Sequence, residues 1–69
     1  MMTKETIRVE GMTCSHCKTS VEGLLNNLDG VNNAEVNLDQ HQVSVTFDDS
    51  KVSIEKMKDE IEDIGYDPK

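Results

Sequence analysis

The spacing of apolar residues changes period along this chain, and that alternation leaves few folds open. Ile7 and Val9 alternate with polar neighbours in TIRVE, Thr6 to Glu10, which is the period of a half-buried strand. From Ser15 the period lengthens, and Cys17, Val21, Leu24, Leu25 and Leu28 share one helical face. Ser15 and Thr13 are candidate caps for that helix. Asp29-Gly30 marks its end, with Gly30 suited to a left-handed stop. Alternation returns at Ala34, Val36 and Leu38, and again at Val43, Val45 and Phe47. The DQHQ between these runs is short enough for a hairpin. After the turn cluster Asp48-Asp49-Ser50, a second helical face recurs at Ile54, Met57, Ile61 and Ile64. Ser53 is its candidate N-cap and Gly65 its candidate C-terminal stop. Tyr66-Asp67 is left for a very short last strand, which Pro68 confines to a sheet edge.

The resulting order is strand, helix, strand, strand, helix, short strand. Right-handed crossovers close that order into an α+β, ferredoxin-like βαββαβ sandwich, a four-stranded antiparallel sheet with both helices on one face. At 69 residues the chain is one domain, 1–69. A domain of this size buries only about 60% of the surface its unfolded chain exposes. The aromatics are Phe47 and Tyr66 alone, so the core is expected from Val, Ile, Leu and Met, with Leu24, Leu28, Phe47, Met57 and Ile61 among its members.

Seven Lys and Arg stand against fourteen Asp and Glu, a formal net charge of −7. Nucleic acid and anionic membrane surfaces both require a basic footprint, and this chain has none. The N-terminal MMTKETIRVEG shows no apolar h-region, and no run reaches the roughly 18 residues of a membrane span. The expectation is a cytoplasmic protein without membrane insertion. Thiols stay reduced there, which directs a cysteine pair toward metal binding or catalysis.

The two cysteines, Cys14 and Cys17, lie in GMTCSHC, Gly11 to Cys17. The element order puts Cys14 in the first strand-to-helix loop and Cys17 in the first helical turn. The partial positive charge of a helix N-terminus, with Lys18 beside it, favours thiolate over thiol. Thiolates are nucleophiles and ligands, so three chemistries compete. A thiol–disulfide oxidoreductase of the thioredoxin type needs a larger domain and a different element order. Structural zinc needs four ligands. Beyond the pair there are only His16 and His41, and His41 is expected in the hairpin loop, far from the cysteines. Two thiolates suit Cu(I), a soft ion, and leave it open to a third thiolate from a partner. That is the property of a carrier.

The GMTCSHC motif, the βαββαβ order and the closing GYD, Gly65 to Asp67, resemble the heavy-metal-associated (HMA) domains. The similarity covers nearly the whole chain and is strongest to bacterial copper chaperones of the CopZ type. The resemblance implies strand order 4-1-3-2 and a Cu(I) site made by Cys14 and Cys17, with no catalytic residues. It implies delivery to the metal-binding domains of copper-transporting P-type ATPases, and for some members to a copper-responsive repressor. Met12 corresponds to a residue of copper-binding members that is acidic in many zinc-handling relatives; it is either a packing residue or a thioether ligand. His16, between the cysteines, is either solvent-facing or a ligand when two molecules share copper. Tyr66 corresponds to a tyrosine that shields the site. The expectation is a chaperone that is monomeric without metal, with a copper-linked dimer left open. The alternative is an N-terminal metal-binding domain excised from a copper-transporting ATPase. The first Met and the lack of linker-like flanks favour the free-standing protein.

Overall fold

The computed structural model describes residues 2–12 and 15–69. Its elements are β1 (Met2–Glu10), α1 (Ser15–Asn26), β2 (Val31–Asn37), β3 (Gln42–Asp48), α2 (Ile54–Asp63) and β4 (Asp67–Pro68). The strands form one sheet in the order β2-β3-β1-β4, the expected 4-1-3-2 read from its other edge. All three pairings are antiparallel. Both helices pack over one core with the sheet, so the chain is a ferredoxin-like sandwich.

Each element buries the residues its period selects. Ile7 and Val9 of β1, Ala34 and Val36 of β2, and Val43, Val45 and Phe47 of β3 face the helices. Val21 and Leu25 of α1 and Met57 and Ile61 of α2 meet them from above. Leu24 and Leu28 are half-buried against this core rather than inside it. Ile64 departs from the helical stripe: it is the C-cap of α2 and 42% exposed. Ser53 caps α2 as expected, its hydroxyl accepting the Lys56 N–H at 3.1 Å. Gly65 follows at φ 98°, a left-handed stop that glycine adopts without Cβ strain.

Three boundaries differ from the reading of the sequence. β1 begins at Met2 instead of Thr6, because β3 supplies backbone partners as far as Asp48 opposite Met2. That polar segment needs no alternation to be paired. β2 begins at Val31, with an irregularity between Val31 and Asn33 that hid its period. α1 ends at Asn26, and Leu28 lies in the turn beyond it. At the far end, β4 is two residues long. Pro68 sits opposite Val9, on the edge strand where its missing N–H costs no ladder bond.

The β3-to-α2 turn is pinned by Asp48. Its carboxylate accepts the Ser50 hydroxyl at 2.6 Å and the Ser50 N–H at 3.0 Å. The Ser50 hydroxyl, then its N–H, hold this carboxyl at about 2, below the ordinary 3.8. A depressed carboxyl stabilises the fold fully above pH 3.8 and loses that contribution as pH falls through about 2.

Gly23 lies within α1, and a Cβ built there meets nothing within 4 Å. Alanine in a helix interior is favoured over glycine by about 0.5–1 kcal/mol. Gly23→Ala is therefore expected to stabilise the fold by about that amount, read as a raised urea midpoint at unchanged m-value.

Candidate metal centre

β1 and β2 both run antiparallel to β3, so they run in the same direction and end at the same end of the sheet. Three connections meet there: the loop from β1 to α1, the hairpin from β2 to β3, and the entry to β4. The GMTCSHC motif is the first of these. Thr13 and Cys14 lie outside the described residues, so the expected ligand Cys14 and the candidate cap Thr13 are not placed. The rest of the motif is held on both sides of them.

On the strand side, Gly11 has φ 93°, a conformation L side chains rarely adopt. The restriction is conformational, since a Cβ on Gly11 would make only an ordinary contact, 3.6 Å from Cδ1 of Tyr66. The Tyr66 ring thus lies over the start of the loop, half-buried against the core. Met12 follows with 0% of its surface exposed, one of the largest fully buried side chains. Its thioether is inside the hydrophobic cluster with Val9, Val21 and Leu25.

On the helix side, Ser15 is the first residue of α1 and is itself helical. His16 is exposed. Cys17 lies in the first helical turn, half-buried and packed against the core. The first turn contains no acidic residue, so no carboxylate of that turn competes for the N–H groups there. Such N–H groups and the helix dipole favour a thiolate. Lys18 is half-buried. It borders an open groove of about 320 Å³ that runs past Val36, Asn37, Leu38 and Asp39 of the β2 end. The groove is signalled by no motif and follows from the strand order, whereas Tyr66 beside Gly11 is where the closing GYD led it to be expected.

His41 is not far from the motif, contrary to expectation. Its carbonyl accepts the Val9 N–H at 2.8 Å, two residues before Gly11. The parallel run of β1 and β2 brings the hairpin to the same end as the cysteine loop. His41 has φ 53°, positive for a residue with a side chain. Its Nδ1 is buried without a hydrogen-bond partner among the described residues. Among those residues no cluster of three or more His, Cys, Asp and Glu side chains is arranged to hold a metal ion.

The model of the heavy-metal-associated domain matches residues 6–67. The chain belongs to that family. It is 62% identical over 66 residues to the copper chaperone CopZ of Staphylococcus aureus (strain bovine RF122 / ET3-1), covering 96% of this chain and 97% of that one. A solved CopZ metallochaperone superposes with a TM-score of 0.94 at 58% identity, over 97% of this chain and all of the other. The N-terminal domain of a potential copper-translocating P-type ATPase from Bacillus subtilis, solved in its Cu(I)-loaded state, superposes with a TM-score of 0.95 at 35% identity. It covers 100% of this chain and 86% of that one.

Met12 gives the most direct test of how the loop is held. Met12→Leu, which conserves volume, is expected to cost under about 1.5 kcal/mol. Met12→Ala is expected to cost about 2–5 kcal/mol. Urea unfolding of the reduced, metal-free proteins separates the two. Equal losses would mean the site does not depend on packing.

Proposed function

We propose that this protein is a copper chaperone, binding Cu(I) as cargo through Cys14 and Cys17 and passing it to a copper-transporting P-type ATPase. The observation that carries the reading is the near end-to-end match, at 62% identity, to a copper chaperone. The chemistry of the described residues agrees with it. Cys17 stands at a helix start with no carboxylate in the same turn, and the neighbouring Met12 is a buried thioether instead of an oxygen donor. Soft sulfur donors exclude Mg²⁺, and a pair of thiolates suffices for Cu(I) while leaving Zn²⁺ short of the four ligands it usually takes.

Transfer on this reading is ligand exchange. A thiolate of the acceptor domain bonds to the copper as a third sulfur ligand. The bond to one of the two chaperone sulfurs then breaks, a second acceptor thiolate bonds, and the remaining chaperone sulfur leaves. The copper stays monovalent throughout, and a proton that an acceptor thiol gives up on bonding copper is matched by one that a departing chaperone thiolate takes up. Cys17 is suited to leave because the α1 N-terminus stabilises its negative charge. The Tyr66 ring on Gly11 shields the strand side of the site and directs exchange to the Cys17 side. His16, exposed beside the pair, is the candidate extra ligand if two molecules share copper.

No helix among the described residues is long and apolar enough to cross a membrane, and the reading places the protein in the cytoplasm as a carrier and not an enzyme. A copper-responsive repressor is a second candidate acceptor. The likeness to the ATPase domain keeps one other reading, that of a metal-binding domain of such an ATPase, with the same ligands and the same exchange.

The test is transfer itself. Copper-loaded protein is mixed anaerobically with an apo N-terminal domain of a copper-transporting ATPase, and copper is measured after the two are separated. Copper is expected to equilibrate between them, while Cys14→Ser and Cys17→Ser proteins retain the fold and hold no copper to transfer. Unchanged loading of either variant would contradict the assigned ligands. Efficient reduction of insulin by the wild-type protein would favour an oxidoreductase instead.

A further inference from the structure

β2 is an edge strand, flanked by β3 on one side only. Its run VNNAEVNL, Val31 to Leu38, has one charged residue, Glu35, and neither Pro nor Gly, in a chain where 30% of residues are charged. An edge of this kind is a template for pairing with another chain. Most proteins blunt such edges with charge, proline or bulges along the strand.

In β2 the register irregularity is confined to Val31–Asn33, and beyond it the helix meets the edge. Ala34 and Val36 turn their side chains into the core, and the backbone groups on their outer side are taken by two side chains of α1. Asn26 Oδ1 accepts the Ala34 N–H at 3.0 Å, and Asn26 Nδ2 donates to the Ala34 carbonyl at 3.3 Å. Glu22 Oε2 accepts the Val36 N–H at 2.7 Å. The match is geometric. Four helical residues rise about 6 Å, and two strand residues span about 6.6 Å. α1 and β2 run in opposite directions, so the lower residue of the helix pair meets the higher residue of the strand pair. The carboxamide of Asn26 presents to Ala34 the same donor and acceptor that a neighbouring strand would.

We infer that Glu22 and Asn26 form a side-chain cover that closes the β2 edge against strand addition by a second copy of this chain. The partner is a second copy because the strand is suited to pair with itself. Antiparallel pairing centred on Val36 sets Glu35 opposite Asn37 of the other copy, and pairing centred on Ala34 sets it opposite Asn33. Neither register opposes like charges, which would otherwise discourage the contact. With the strand lacking its own charge barrier, the barrier resides in α1. The opposite edge of the sheet needs no such cover at its β4 end, where the strand is two residues long and contains Pro68.

The experiment compares wild type, Glu22→Gln and the Glu22→Ala/Asn26→Ala double variant, reduced and metal-free. Sedimentation equilibrium is run across a range of concentrations, with amide exchange of Ala34 and Val36 followed by NMR. Wild type and Glu22→Gln, which keeps an acceptor oxygen, are expected to remain monomeric. The double variant is expected to approach a doubled mass as concentration rises. Its Ala34 and Val36 amides should exchange faster than wild type when dilute and slow again when concentrated. A folded double variant that stays monomeric at every concentration would overturn the inference. So would one that dimerises while those two amides stay fast, since another surface would then be responsible. Should the double variant fail to fold by circular dichroism, the two single alanine variants are read by the same criteria.

Discussion

The burial of Met12 is the constraint on which the metal end of this molecule depends. The described residues on either side of Thr13 and Cys14 are both anchored in the core. The strand end is fixed by a thioether sealed in the core with Val9, Val21 and Leu25. The helix end is fixed by Cys17, which packs on the same core from the first turn of α1. The core therefore sets the separation of the loop's two ends, and the segment between them is short. A flexible, polarisable side chain is suited to this role because it fills an irregular gap where a strand ends and a helix begins.

The strand order then decides what surrounds the loop. β1 is an inner strand, between β3 and the short β4, so the loop that leaves it is flanked on both sides. Tyr66 arrives from the β4 side and lies on Gly11. The β2–β3 hairpin arrives from the other side and is tied to Val9 by the His41 carbonyl. Lys18, next in sequence to the half-buried Cys17, borders the groove toward Asn37 and Asp39. This end of the sheet thus gathers an aromatic ring, an imidazole and Lys18 on a protein whose net charge is −7. The opposite end of the sheet holds the Asp48–Ser50 turn.

Periodicity made most of the fold legible, because a half-buried strand and a one-sided helix leave unmistakable spacings. Ile7-Val9, Val43-Val45-Phe47 and Met57-Ile61 are buried as their spacing requires. Where a segment is held by backbone pairing alone the spacing is silent, and Met2 to Glu5 were missed for that reason. The irregularity after Val31 shifted the β2 period in the same way. His41 was misplaced although the element order was right, since the end of the sheet a hairpin occupies follows from strand direction and not from local spacing. The motif made the cysteines and Met12 visible as a group, and the structure shows Met12 as a core residue. The cover of β2 by Glu22 and Asn26 could not be read at all. Both look like ordinary surface residues of an amphipathic helix, and only the strand lying under them gives them a partner.

The central claim is that this site takes a soft monovalent ion. Its most direct test is anaerobic titration of the reduced protein with Cu(I) against a chromogenic Cu(I) chelator, with Zn²⁺ titrated in parallel. The account predicts tight uptake of about one Cu(I) per chain and much weaker Zn²⁺ binding, as a site of only two thiolates, short of zinc's usual four ligands, requires. Tight Zn²⁺ binding beside weak Cu(I) binding would contradict it.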